Sequence, residues 1–157
     1  MKNTKLAILD IDNCLIYASY KPIENLLLVD RHTWFYLYHR PGVKKFLEKI
    51  QEIADVIFYT SAKKTYAQWI LKTLDMDREI PLFTRKNCQK KYTEFGEVYY
   101  KSLSKLKLSK KYEEIIVVDD RIDLWDDKGV TLYSIEPFLG QPDDQELSKL
   151  IEIIQKA

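Results

Sequence analysis

Two aspartates one residue apart, Asp10 and Asp12, close the apolar run Leu6-Ala7-Ile8-Leu9. A run that is short and apolar at every position reads as a strand buried on both faces, of the kind found in parallel sheets. The carboxyl ends of such strands open into the crevice where open α/β sheets bind their ligands. Side chains alternate along extended backbone, so Asp10 and Asp12 point the same way. Two converging carboxylates repel each other, and a cation or a shared proton relieves the repulsion. The arrangement suits a metal-assisted reaction in which one acid is the nucleophile and the other carries a proton.

The pair alone decides nothing. The chain holds 13 aspartates in 157 residues, and at that density chance supplies an Asp-x-Asp pair roughly once. Asp75-Met76-Asp77 is such a pair; it follows an amphipathic helical pattern and reads as a solvated helix end. The surrounding elements must distinguish the two.

After Asp12, the stretch from Tyr17 to His39 reads as a strand-rich excursion. Leu26–Val29 and Thr33–Tyr38 are expected strands, turning near Asp30-Arg31-His32. Arg40-Pro41-Gly42 opens a helix with Pro41 near its first position, and Val43, Phe46, Leu47, Ile50 and Ile53 form its apolar face. A second buried strand, Asp55–Tyr59, ends in Thr60-Ser61. A helix from about Lys64 to Leu74 follows, with Tyr66, Trp69, Ile70 and Leu74 on its expected buried side. Ile80–Phe83 reads as a short strand, and Glu97–Leu106 as either extended chain or a helical turn. Ile115–Val118 is a third strongly apolar strand, ending in Asp119-Asp120. Val130–Ile135 makes another strand, and Leu147, Leu150, Ile151 and Ile154 mark a closing helix. Strands alternating with helices predict a mainly parallel, three-layer α/β fold.

Composition narrows the function classes. The length is that of one domain, expected to run over residues 1–157. With 25 basic and 24 acidic residues and a net charge of +1, the chain carries no electrostatic footprint for nucleic acid or an anionic membrane. The apolar runs are too short to span a bilayer, and no basic-then-apolar leader precedes the first strand. Cys14 and Cys88 lie far apart and fit neither a disulfide framework nor a zinc pattern. The expected setting is intracellular and cytoplasmic, with a nuclear one open for a eukaryotic source. Four glycines, at 42, 96, 129 and 140, are too sparse for a P-loop or a dinucleotide fingerprint. His32 and His39 read as partly buried residues of the aromatic stretch rather than as metal ligands. Trp34, Phe35, Tyr36 and Tyr38 read as a hairpin packed on the domain.

Three buried strands thus end in polar groups: Asp10 and Asp12, Thr60 and Ser61, Asp119 and Asp120. In a parallel sheet these ends share one edge. Three or four carboxylates there must import positive charge, and oxygen-rich sites favour Mg²⁺. A hydroxyl and a cation nearby suit an anionic substrate such as phosphate.

A family resemblance now becomes specific. LAILDIDNCLI is similar to the first motif of the haloacid dehalogenase (HAD) superfamily of phosphotransferases. HRPGVKKFL, DVIFYTSAKKTYA, YYKSLSKL and IIVVDDRIDLW follow in the order expected of its FCP/SCP-type, NIF-like phosphatases, covering nearly the whole chain. The resemblance implies a HAD-like, Rossmannoid sheet with a small β insert at about 17–39. It implies that Asp10 is the nucleophile, forming an aspartyl-phosphate and ligating Mg²⁺. Asp12 would act as acid and base, its backbone carbonyl on the metal. Thr60, with Ser61 beside it, would bind the phosphoryl group, and Lys101 would neutralise phosphate and nucleophile. Asp119 matches a metal ligand, Asp120 a neighbouring position able to act through water, and Arg85 a phosphate-side arginine.

The expected reaction is Mg²⁺-dependent hydrolysis of phosphate monoesters, with a phosphoserine or phosphothreonine on a protein or peptide as substrate. A catalytically silent phosphopeptide-binding or scaffold relative, and a phosphatase of small molecules or nucleic-acid ends, are the alternatives. Tyr20 and Tyr66 match an aromatic pocket that some relatives use for a substrate proline, whereas Lys63 falls where that pocket has an apolar residue. Cys14 stands where the first motif usually has Thr or Val. It is expected to pack as a small buried side chain, with redox sensing as the other reading.

Overall fold

Leu6 to Leu9 are fully buried, and the reason is their place at the centre of the main sheet. The computed structural model describes residues 3–76, 79–108, 111–126 and 130–157. Along the chain, β1 (Lys5–Leu9) is followed by three short strands, β2 (Ile16–Ser19), β3 (Asp30–His32) and β4 (Phe35–His39). Next come α1 (Val43–Ile53), β5 (Asp55–Tyr59), α2 (Lys64–Thr73) and β6 (Leu82–Phe83). A hairpin of β7 (Gln89–Thr93) and β8 (Gly96–Tyr100) precedes β9 (Glu114–Asp119), β10 (Thr131–Ser134) and the closing α3 (Glu146–Lys156).

The main sheet has the order β10-β9-β1-β5-β6, all parallel. β1 therefore has a partner on each side and must be apolar on both faces. Ala7 and Leu9 pack toward the helices, with Phe46, Leu47, Ile70 and Leu147. Leu6 and Ile8 pack on the opposite face with Ile57, Tyr59, Val117 and Trp125. The three-layer α/β class expected from sequence is thus the observed one. All three helices lie in the first layer, while the opposite face is covered by 3-10 turns and irregular chain through Leu103, Leu106 and Trp125. No described helix is long and apolar enough to cross a membrane.

The excursion after β1 forms a separate antiparallel sheet, β2-β4-β3. Its turn differs from expectation. Asp30–His32 is a strand rather than a turn, the reversal falls at Thr33-Trp34, and Leu26–Val29 is not a strand. The polar residues of β3 find partners off their own segment: Arg31 lies over Tyr36 at 4.7 Å, and Asp30 accepts from Trp69 of α2. These contacts override the apolar pattern that favoured Leu26–Val29. Trp34, expected to pack, is 70% exposed at the turn. His32 is also exposed, its ring against Trp69.

Helix boundaries shift for local reasons. α1 begins at Val43, with Gly42 as N-cap at φ 80°, so Pro41 stands outside the helix. That left-handed cap favours glycine. On α2 the buried face is Ala67, Ile70 and Leu71; Tyr66 and Trp69 are only partly buried because they turn toward the insert. The closing helix buries Leu147, Leu150, Ile151 and Ile154, as its spacing predicts. Asp75 is exposed just past α2, as expected, and Asp77 lies outside the described residues. The first strand of the β7–β8 hairpin is not expected from sequence. Its residues, Gln-Lys-Lys-Tyr-Thr, lack an apolar face and are mostly exposed.

Candidate active site

β1, β5 and β9 end at the same edge of the sheet, which brings their terminal polar residues together. The Asp10 amide donates to Val118 O at 3.0 Å, carrying the β1–β9 ladder one residue beyond the strand. Asn13 then turns the chain at φ 60°, Asp12 bridges to Ile16, and the Phe138 amide donates to Asn13 O at 2.7 Å. Arg40 clamps this loop from beneath: its Nη1 donates to Cys14 O at 3.0 Å and its Nη2 to Glu136 O at 2.6 Å. Nε and Nη2 also hold both oxygens of Asp144, at 2.8 and 2.9 Å. A buried guanidinium is sustained by such a bidentate pair with its remaining donors satisfied.

Lys101 stands at the centre. Its Nζ donates to Asp10 Oδ1 at 2.9 Å and to Asp119 Oδ2 at 2.7 Å. The main chain of Lys101 is fixed on both sides, donating to Leu124 O and accepting from the Asp126 amide. Asp119 is gripped further by the Trp125 indole N–H at 2.9 Å and the Arg121 amide at 2.9 Å. Asp12 faces elsewhere. Its Oδ1 accepts from the Tyr66 hydroxyl at 2.6 Å.

These contacts separate the acids electrostatically. Burial and the nearby Asp119 hold the Asp10 carboxyl well above the usual carboxylate range, despite Lys101. Burial acts on Asp119 in the same direction, but Lys101, the Arg121 amide and the Trp125 indole outweigh it and hold Asp119 low. Asp120 is raised, chiefly by burial. Burial opposes the charge on Lys101, and its two carboxylate partners more than restore it, leaving the ammonium above its ordinary value. Asp12 is raised by burial, with the Tyr66 hydrogen bond pulling the other way.

Carboxylate oxygens of Asp10, Asp119 and Asp120 lie within 4.8 Å of one another. Three acids facing one ammonium leave negative charge to be neutralised, and a hard, oxygen-seeking divalent cation fits that donor set. The Asp12 carboxylate is not part of this group.

Of the residues singled out in the sequence, Asp10, Asp12, Thr60, Ser61, Lys101, Asp119 and Asp120 line one cleft of about 170 Å³. Thr60 is buried, its hydroxyl accepting from the Ala62 amide at 3.1 Å, while Ser61 is exposed. Arg85 does not line the cleft. It braces the rim, donating from Nε to Ser61 O at 2.8 Å with its guanidinium over the Tyr99 ring at 4.6 Å. Tyr20 is 75% exposed and stacks on Phe35, which meets Tyr66 edge-on, so these three rings form a row beside Asp12. Lys63 is exposed at the N-cap of α2. Cys14 is fully buried, its Sγ 3.9 Å from Val118 O, and burial pushes its thiol well up, which suits a structural cysteine. Neither histidine lines the cleft.

Sequence reasoning missed Trp125, Arg40 with Asp144, and the hydroxyl role of Tyr66. It also missed Asn13, Tyr99, Arg121 and Leu124, which complete the cleft. Arg121 and Asn13 carried a signal, each standing directly after an acid that closes a buried strand, Asp120 and Asp12.

Comparison with known proteins gives the family and the fold. A family model, NLI interacting factor-like phosphatase, matches residues 5–157. The chain is 28% identical over 162 residues to Phosphatase PSR1 of Saccharomyces cerevisiae, covering 98% of this chain and 36% of that protein. It is 35% identical over 95 residues to an RNA polymerase II C-terminal domain phosphatase of the same yeast, covering 60% of this chain and 12% of that protein. A probable C-terminal domain small phosphatase of Dictyostelium discoideum is 28% identical over 158 residues, covering 96% and 49%. The chain therefore spans less than half the length of these curated relatives. The fold is similar to that of Fcp1, an essential RNA polymerase II CTD phosphatase, with a TM-score of 0.59 at 24% identity over 94% of this chain and 48% of that one.

Proposed function

This chain belongs to the NLI interacting factor-like phosphatase family, and on that premise we propose that it hydrolyses phosphate monoesters on serine or threonine of a protein. The observation that carries the reading is the unequal setting of two acids one residue apart. Asp10 faces Lys101 and the other carboxylates, while Asp12 is turned to Tyr66.

In this mechanism Asp10 attacks phosphorus and forms an aspartyl-phosphate, breaking the bond to the serine or threonine oxygen. Asp12 gives its proton to that leaving oxygen, and then takes one from the water that opens the intermediate. The Asp12 carboxyl, raised chiefly by its burial, holds its proton more firmly than an exposed acid would, as a proton donor to the leaving oxygen needs. Lys101 balances charge on Asp10 and the phosphoryl group, and Thr60 and Ser61 offer hydroxyl and backbone donors from the neighbouring strand end. Asp10, Asp119 and Asp120, with the Asp12 carbonyl, would hold Mg²⁺. When bound, the ion supplies positive charge that lets a carboxylate and a phosphate approach.

A protein substrate is supported by a cleft of only about 170 Å³ and by the similarity to phosphatases of the RNA polymerase II C-terminal domain. Unpaired Cys14 and Cys88 accord with an intracellular, cytoplasmic setting, which we also propose. The test compares hydrolysis of phosphoserine peptides, sugar phosphates and 3′-phosphorylated oligonucleotides, with and without Mg²⁺, by wild type and Asp10→Asn. Mg²⁺-dependent release from the peptide alone, lost in Asp10→Asn, is expected. Unchanged activity in Asp10→Asn would overturn the mechanism, and a folded wild type inactive on every substrate would favour a phosphopeptide-binding role.

A further inference from the structure

Between β2 and β3 the chain runs through three successive leucines. Leu27 is 87% exposed and Leu28 43% exposed. With Leu26 and Val29 they line a second cleft, of about 590 Å³, together with Lys44 and Lys45 from the start of α1. This cleft shares no lining residue with the catalytic one.

Its charge is one-sided. Among the described residues no acid lines it, Asp75 acting on His39 from outside the lining, and Lys44 and Lys45 are exposed and form no ion pair with any described residue. Arg40 reaches its wall but is already held by Asp144. His39, also in the wall, is held down to about 4 by burial and by Lys44, so it is neutral at pH 7. An apolar shelf beside two unpartnered ammoniums is complementary to a ligand with the opposite charge and apolar side chains of its own.

We propose that this cleft docks a segment of the protein substrate distant from its phosphorylated residue, one carrying leucine-like side chains next to acidic ones. The identity of the partner as substrate rests on the proposed function; the chemistry that recognises it does not. A second copy of this chain fits less well, because a two-fold contact here would set Lys44 and Lys45 against themselves. A bilayer fits less well because two free lysines fall short of the basic clusters that hold a segment to anionic lipid.

The first test is fluorescence anisotropy with a short fluorescein-labelled peptide alternating leucine and glutamate, against its leucine–lysine counterpart. Binding of the acidic peptide alone is expected, weakened by salt. Leu27→Glu and the double change Lys44→Glu, Lys45→Glu each weaken it about tenfold or more, and Asp10→Asn leaves it unchanged. Leu27 is exposed, so its replacement leaves the fold intact; circular dichroism confirms this for both variants. The second test is kinetic. Fusing the acidic segment to a phosphoserine peptide lowers KM for wild type but not for Leu27→Glu, while kcat and turnover of para-nitrophenyl phosphate are equal in both. Absence of acidic-peptide binding, equal binding of both peptides, or Leu27-dependent dimerisation or vesicle binding in its place would overturn the proposal. Peptide binding without any hydrolysis would instead strike the proposed function and leave the docking site standing.

Discussion

The Tyr66 hydroxyl donates to Asp12 Oδ1 at 2.6 Å, joining residues 54 apart in the sequence. This bond gives Asp12 a fixed orientation that Asp10 does not share. It also links the acid to the insert, because Phe35 of β4 packs edge-on against the Tyr66 ring. Tyr66→Phe removes the donor and leaves the ring. The hydrogen bond lowers the Asp12 pKa, so its loss moves the alkaline limb of the rate profile, where Asp12 loses the proton it must donate, to higher pH and reduces kcat about tenfold. A pH–rate series checks this, and a variant with wild-type profile and rate would refute it.

Lys101 is the ammonium bonded to both Asp10 and Asp119. Lys101→Met leaves their buried charges uncompensated, which costs about 3–5 kcal/mol by the usual measure of breaking a buried pair. Urea unfolding without added metal reads the loss directly. Hydrolysis should fall to background, and a variant as stable as wild type would show that the pair contributes little.

Trp125 holds Asp119 through its indole N–H. Trp125→Phe keeps an aromatic ring against Tyr59 and removes the donor. Groups that orient a metal ligand commonly contribute tenfold or more in affinity, so the Mg²⁺ concentration for half-maximal activity should rise about tenfold. Isothermal titration with Mg²⁺ provides a readout independent of turnover.

Arg40 ties the loop after Asp12 to the segment before α3, through Cys14 O, Glu136 O and Asp144. Arg40→Met strands a buried Asp144 carboxylate and leaves those carbonyls without donors. A loss of about 3–5 kcal/mol is expected in denaturant unfolding. Amide exchange should quicken around residues 13–16 before it does in β5.

His39 contributes a pH dependence. Its Nε2 meets Thr73 Oγ1 at 2.9 Å, and because that hydroxyl donates to Ile70 O, the imidazole must be the donor. Burial, then Lys44, holds its pKa down to about 4, against about 6.5 in an unfolded chain. Between these values the unfolded chain binds more protons. Its share of stability is therefore complete above about pH 6.5 and is lost as pH falls toward 4. His39→Gln should flatten this window in urea midpoints measured from pH 4 to pH 8. An unchanged slope would assign the dependence to other groups.

The main sheet was legible because its signal is local. A strand with neighbours on both sides must be apolar along its middle, and β1, β5 and β9 are apolar from just after Lys5, Asp55 and Glu114 up to the polar residues that close them. The insert was less legible. Its strand β3 is polar and exposed, held by Arg31 on Tyr36 and Asp30 on Trp69 rather than by an apolar face. The first strand of the β7–β8 hairpin escaped notice for the same reason, its lysines lying over Tyr92 and Tyr100.

By itself the sequence determined the edge where the chemistry sits and the acids that reach it, since strand alternation and strand ends depend only on neighbouring residues. It did not separate Asp10 from Asp12 without a family resemblance, for the two are chemically alike and face the same way along the chain. That separation came from Lys101, 91 residues from Asp10, and Tyr66, 54 residues from Asp12. Arg40 and Asp144, 104 residues apart, fixed the loop between them and the core. Contacts over such distances depend on how β9, α2 and α3 pack around β1, and no local pattern of residues records that packing.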